Sequence, residues 1–198
     1  MIQYNGIAIK THPDVYKPSK DTFLLADNLD ITRRDEVLEI GTGAGLIAIY
    51  CAQRSKRVVA TDIDEEAIKC ALKNVIANRT YNVELKNGDL FEPVQNEKYD
   101  LILFNTYNTT VNDNKNQSED FSKSREIINK FILELKNYLN EGGRFQILQS
   151  TDCDIEKTIQ KLEESGFVVE IKAREKILSS EMVLINGKIE KEDLKSIK

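Results

Sequence analysis

The chain has 198 residues, 40% of them hydrophobic and 31% charged, with a net charge of -5, the balance of a globular chain with enough apolar residues for a sizeable core. No apolar run approaches the roughly 18 residues that span a bilayer, and the opening MIQYNGIAIK lacks a basic start followed by an apolar core, so neither a membrane span nor a secretory signal is expected. The acidic balance gives no broad footprint for nucleic acid, and Cys51, Cys70 and Cys153 are too scattered to suggest a zinc or redox pair.

The elements can be read in chain order. YNGIAI (4–9) sets an Asn-Gly pair between β-type residues and predicts a small hairpin. TFLLADNL (22–29) has a helical apolar pattern, with Asp21 placed to cap it. This N-terminal piece, residues 1–30, is too short for a separate domain and is expected to lid a pocket formed at a sheet. EVLEIG (36–41), RVVATD (57–62), VELKNGD (83–89) and YDLILFN (99–105) are short apolar or β-branched runs that each end in a polar or glycine signal, as strands do. Residues 64–79 predict an amphipathic crossover helix. Ala67, Ile68, Ala71, Leu72 and Val75 share its inner face, and Asp64 caps it.

NTYNTTVNDNKNQSED (105–120) reads as a loop. After it come a helix near 121–139, a strand GRFQILQS (143–150) and a helix from about 154 to 165. VVEIKAREKIL (168–178) and SEMVLING (180–187) leave no room for a crossover helix and should pair antiparallel. The coherent architecture is a single α/β domain over residues 1–198: a doubly wound, mostly parallel sheet closed by a hairpin, with a charged tail at 188–198 that frays.

The sharpest chemical signal is VLEIGTGAGLIAIY (37–50), a strand followed by Gly41, Gly43 and Gly45 and then a helix. Glycines let backbone approach a ligand, and the helix start offers N–H groups to an anionic group. The spacing G-x-G-x-G lacks the third position of the dinucleotide fingerprint, and Glu39 lies two residues before the first glycine. That carboxylate serves a pyrophosphate poorly and a cationic ligand well. About 20 residues beyond the glycines, Asp62 ends the second strand, where an acid takes ribose hydroxyls. Asp89 in NGDLF falls at the same sheet edge, able to accept from the exocyclic amine of an adenine. His12 reads as a loop residue, while Tyr16 and Phe23 are candidates to line the pocket, with core packing an equal reading for Phe23.

These motifs, with VYKPSKDTFLLADNL (15–29), ATDID (60–64), DLILFN and REKILSSEMVLI (174–185), make the sequence resemble the class I S-adenosylmethionine-dependent methyltransferases. More narrowly, it resembles the HemK-type glutamine methyltransferases of translation release factors, in their short eukaryotic and archaeal form. The resemblance implies a Rossmann-like seven-stranded sheet and S-adenosyl-L-methionine as cofactor. The implied substrate is the glutamine amide in the Gly-Gly-Gln tripeptide of a cytoplasmic peptide release factor. A small zinc-binding activator subunit is the implied partner, covering a sheet edge near the glycine motif and second strand, where RVVATD could pair with another chain. Thr22, Glu39, Gly41, Gly43, Gly45, Asp62, Asp89 and Leu90 become cofactor contacts, with Asn105 beside them. Lys20 stands where the family generally has an acid.

The family's fourth strand ends in N-P-P-Y, whose Asn oxygen and first proline carbonyl accept from the substrate NH₂ while the Tyr packs on it. This chain reads N-T-Y-N, so Asn105 is kept, Thr106 supplies the carbonyl and Tyr107 comes one residue early. Asn105 and Tyr107 are the candidate catalytic pair, and Asn105 with Thr106 the substrate contacts. Three readings are open: a rearranged but working loop, weakened or redirected catalysis, and an inactive domain that still binds cofactor and partner. An adenine-N6 methyltransferase is the alternative among enzymes, since that exocyclic amine presents the same NH₂. The absence of a basic stripe weighs against it.

Overall fold

The computed structural model describes residues 1–106, 117–177 and 180–189. Its main sheet has seven strands: β3 (Glu36–Ile40), β4 (Arg57–Asp62), β5 (Val83–Asn87), β6 (Tyr99–Asn105), β7 (Leu139–Ser150), β8 (Phe167–Ile177) and β9 (Ser180–Ile189). They lie in the order β5-β4-β3-β6-β7-β9-β8. The pairs from β5 across to β7 are parallel, and β9 runs antiparallel to both β7 and β8. This is the doubly wound sheet with a closing hairpin expected from the sequence. Strand order reverses between β3 and β6, and the crevice at their carboxyl ends is where such sheets bind ligands.

The strands alternate their buried residues between two faces. Val37, Val58, Ala60, Leu101 and Leu103 pack toward one core, with α1 (Lys20–Asp27), α2 (Leu46–Ala52) and α3 (Glu65–Ala77). Leu38, Val59, Ile102 and Phe104 pack toward the other, against α4 (Gln117–Leu135) and α5 (Ile155–Glu164). Burial on both faces is why the central strands read as nearly unbroken apolar runs. Among the described residues, no helix is long and apolar enough to cross a membrane.

The N-terminal hairpin, β1 (Ile2–Tyr4) and β2 (Ile7–Ile9), turns at Asn5 and Gly6, both with positive φ, as the Asn-Gly pair predicts. It docks on α3 through two asparagines one helical turn apart. Asn78 exchanges hydrogen bonds with the Ala8 N–H and C=O. Asn74 does the same with Lys10 and also donates to the Ala44 C=O. Each amide acts as a short piece of strand edge, so the Ala8 and Lys10 backbone groups of a hairpin outside the main sheet find partners.

Several sequence expectations need correction. RVVATD cannot pair with another chain, because as β4 it is hydrogen-bonded to β3 on one side and β5 on the other; the outer strand on that side is β5. Asp21 does not cap α1, which starts earlier: Ser19 is the N-cap, its N–H donating to the Thr22 hydroxyl at 3.2 Å, and Asp21 lies buried in the first turn. The inner face of α3 is Ala67, Cys70, Ala71, Asn74 and Val75, while Leu72 is exposed. The amide of Asn74 is drawn inward by its three backbone partners, which apolar counting does not register. α4 begins and ends earlier than expected, and β7 begins earlier. β9 runs through Lys188 and Ile189, which the sequence pattern assigns to the tail; residues 190–198 lie outside the described residues.

Candidate active site

The carboxyl ends of β3, β4 and β6 and the turn after β5 open on one cavity of about 630 Å³. Its walls include Ile40, Gly41 and Gly43, then Asp62 and Ile63, then Asp89 and Leu90, and finally Phe104 and Asn105. Pro13, Asp14, Val15 and Tyr16 close the side toward the N-terminus, so the segment before α1 is a wall of the site. Ile127 of α4 completes it.

The glycine turn is more self-sufficient than its sequence suggests. The N–H groups of Gly41 and Thr42 both donate to the Thr61 C=O, at 2.9 and 3.0 Å, continuing the β3–β4 ladder. Gly43, at φ +53°, donates to Asp62 Oδ2 at 2.8 Å, and Gly45 donates to the Thr42 C=O. Four N–H groups of the turn, those of Gly41, Thr42, Gly43 and Gly45, are therefore committed within the protein. Gly45 serves packing as well: it sits at φ +84°, and a Cβ there would lie 3.1 Å from the Ala71 Cβ of α3.

What the site presents is acid. Asp62 holds the turn through Gly43 and the next helix through the Asp64 N–H, at 3.0 Å. Burial pushes its carboxyl above the usual range, opposed by those N–H donors. Glu39 lies behind the turn, 5% exposed, and accepts from the Thr42 hydroxyl at 2.7 Å. Burial raises it to about 8, and the neighbouring Asp62 charge adds to the rise. A cation entering the cavity would relieve both groups, because an opposite charge favours the ionised carboxylate. Asp89 reaches the mouth, where Lys130 of α4 holds it in an ion pair at 2.6 Å. Leu90 is buried with φ +47°, which turns the chain back toward the core.

Asn105 is the last residue of β6 and lines the cavity. Its Nδ2 donates to Asp21 Oδ2 at 2.7 Å. Asp21 is fully buried and also accepts from the Tyr16 and Ser19 hydroxyls, both at 2.5 Å. Thr106, next along, is buried and bonds to Leu148 of β7. Thr22 sits behind this cluster in the capping interaction of α1. Tyr107 and the rest of the loop to residue 116 lie outside the described residues.

The structure thus brings Gly41, Gly43, Asp62, Asp89, Leu90 and Asn105 to one cavity, with Glu39 and Thr22 set behind its wall and Gly45 against α3. The sequence reading missed Asp21, Ile63 and Lys130. Ile63 had a visible signal, an apolar residue in the otherwise polar end of ATDID, and it is 72% exposed at the rim of the site. Among the described residues, no His, Cys, Asp and Glu cluster could hold a metal ion.

A doubly wound sheet with a single hairpin at its end, opening at the switch point on a cavity lined by carboxylates, is a Rossmann-like class I methyltransferase fold. The model of the methyltransferase small domain matches residues 6–179, and the chain belongs to that family. A protein of Methanocaldococcus jannaschii named as a protein N5-glutamine methyltransferase is 44% identical over 195 residues, covering 94% of this chain and 98% of its own. The release factor glutamine methyltransferase of Fusobacterium nucleatum is 36% identical over 110 residues, or 52% of this chain and 31% of that protein. Among solved structures, the Mtq2–Trm112 complex of E. cuniculi, described as responsible for methylation of the eRF1 translation termination factor, shares the fold. Its TM-score is 0.67 at 24% identity, with 89% of this chain and 99% of that one covered. The family recognised from the motifs is thereby borne out.

Proposed function

We propose that this chain uses S-adenosylmethionine to methylate the side-chain amide of a glutamine in the Gly-Gly-Gln motif of a peptide release factor. The observation that carries the reading is Asn105, at the end of β6 the one amide among the described residues that line the cavity, whose described charged residues are all acidic. The donor set suits this cofactor. Asp62 can accept ribose hydroxyls, Ile63 and Leu90 offer apolar surface to a base, and Glu39 with Asp62 favours a ligand that carries positive charge. Bound there, S-adenosylmethionine supplies an electrophilic methyl group.

The protein's share is positioning. The Asn105 Oδ1 accepts from the substrate NH₂, with the Thr106 carbonyl as its companion, and this fixes the nitrogen before it gains positive charge. No strong general base is needed, because the amide proton leaves readily once the nitrogen is methylated. Tyr16 and its neighbours lid the cavity. The 44% relative, named for the same reaction, supports the substrate class.

The same reading includes a small zinc-binding activator. Its place is the outer strand β5 and the adjoining surface, where Leu72 and Ile76 of α3 and Tyr81 are 49%, 67% and 90% exposed. A strand with one edge open among the described residues, beside apolar side chains, suits a partner that adds a strand. A release factor substrate places the enzyme in the cytoplasm with the translation machinery.

Labelled methyl transfer to purified release factor, with and without an activator subunit and with an RNA control, tests the proposal. Label on the Gly-Gly-Gln glutamine is the expected result. Label on RNA alone would move the enzyme to adenine, and no label on either, with cofactor still bound, would leave a binding module.

A further inference from the structure

An asparagine can offer either end of its amide to a substrate. The two ends have nearly the same shape and opposite hydrogen-bonding character, so packing alone does not choose between them. In the proposed reaction the choice decides activity: Oδ1 receives the substrate NH₂, whereas Nδ2 in the same place would repel it.

Asp21 makes that choice. It comes from the first turn of α1, 84 residues before Asn105, yet its Oδ2 accepts from Asn105 Nδ2 at 2.7 Å. Its side chain is 0% exposed, so water does not compete for the bond. The other oxygen, Oδ1, is held by the hydroxyls of Tyr16 and Ser19 at 2.5 Å each. A carboxylate only accepts, and this one is gripped from two sides, so the amide must present Nδ2 to it and turn Oδ1 away. Because Tyr16 also lines the cavity, the same carboxylate ties the N-terminal wall of the site to the end of β6.

We infer that Asp21 is a positioning residue for methyl transfer, setting the amide of Asn105 with its oxygen toward the substrate and joining that setting to the wall formed by Tyr16. The inference rests on the proposed reaction for its consequence in rate, while the orientation itself can be measured without substrate.

Asp21→Asn is nearly isosteric and inverts the polarity. Its oxygen stays with Tyr16 and Ser19, its NH₂ meets Asn105, and Asn105 turns over. Turnover on purified release factor should fall by about 100-fold or more while cofactor affinity by calorimetry stays within about twofold. Adding Asn105→Asp restores an acceptor facing the new NH₂ and another facing the substrate. The double variant should recover at least about tenfold over Asp21→Asn alone, whereas Asn105→Asp alone, which sets two carboxyl groups against each other, should stay low. If the double variant is no better than its parents, or Asp21→Asn keeps wild-type turnover, the inference fails.

A second measurement needs no activity. The side-chain NH₂ signal of Asn105, assigned by its loss in Asn105→Asp, should exchange slowly in the wild type. In Asp21→Ala it should exchange at least about tenfold faster with the backbone spectrum preserved. Equal exchange in both would overturn the Asp21 assignment. A wild-type enzyme that methylates no release factor would instead refute the substrate reading, and the exchange result would still decide Asp21.

Discussion

Thr106 donates twice to the same acceptor: its backbone N–H and its hydroxyl each reach the Leu148 carbonyl at 2.9 Å. The residue stands where the resembling methyltransferases have their first proline, and proline has neither donor. The β6–β7 ladder therefore extends one residue further through a threonine. Thr106→Pro should destabilise the protein by about 1–3 kcal/mol by leaving a buried carbonyl unmatched, and Thr106→Val by about 1 kcal/mol. Urea unfolding of both variants checks this. A Thr106→Pro protein as stable as the wild type would mean that the Leu148 carbonyl of β7 finds its hydrogen bond elsewhere.

Asn74 makes the same kind of claim on the N-terminal hairpin. One buried amide serves the Lys10 N–H, the Lys10 C=O and the Ala44 C=O, each at 2.9 Å. Asn74→Ala removes three bonds and leaves their partners poorly satisfied, with an expected cost of about 2–4 kcal/mol. Asn74→Asp keeps the bond to the N–H and turns two acceptors against a carboxylate, so it should be no better. Hydrogen exchange should show the loss concentrated in residues 2–10, and a loss spread evenly over the sheet would count against a docking role.

Glu39 gives the protein a pH dependence of definite sign. Its folded value of about 8 lies above the usual 4.5, so between those values the folded chain keeps a proton that the unfolded chain has released. Stability must then fall as pH rises through that window, by up to about 1.4 kcal/mol per pH unit for one proton, and level off above it. The raised Asp62 adds a change of the same sign. Glu39→Gln retains an acceptor for Thr42 but does not titrate. Its stability should gain on the wild type as pH is raised from about 5.5 to 8, and parallel curves would show that Glu39 is ionised throughout. A cationic ligand should also release protons on binding near neutral pH, visible as calorimetric heats that vary with the buffer.

How far the site could be read from sequence depended on the distance over which each residue acts. β3 to β6 and the glycine turn are legible because each strand carries its own apolar run and its own terminator, and the acids at the strand ends follow by position. Asp21 is illegible for the opposite reason. Its local context, Ser-Lys-Asp-Thr before a helical pattern, favours a cap, and only the fold brings it to Asn105. Asn74 breaks an apolar face for partners in another element, which a periodicity argument counts as an error. RVVATD has the composition of an edge strand, but β-branched residues are equally at home in the interior of a parallel sheet, and pairing on both sides decided between the two.

Asp62 and Gly43 lead to a prediction about the cofactor. Asp62 Oδ2 already accepts the Gly43 N–H at 2.8 Å, so the carboxylate is held in place before any ligand arrives. Asp62→Ala should weaken S-adenosylmethionine binding by on the order of 1–3 kcal/mol, and Asp62→Asn by less, since one oxygen remains. Calorimetric titration distinguishes these. Unchanged affinity in Asp62→Ala would remove this residue from the ligand site.

The last prediction concerns Asp89, whose carboxylate is claimed from two directions. Lys130 holds Oδ2 at 2.6 Å, and the same residue lines the cavity, where we propose that it accepts from an adenine amine. An ion pair this exposed contributes little to stability, so losing it should leave the unfolding curve almost unchanged. Its effect should appear in binding instead. Lys130→Met removes the competing cation and should tighten S-adenosylmethionine by on the order of two- to fivefold, more at low salt than at high. Asp89→Asn should weaken binding, and on that background Lys130→Met should have no further effect, because the competition no longer has an object. If Lys130→Met weakens binding in the wild-type background, the lysine is holding Asp89 in its working orientation, and the ion pair belongs to the site as a support.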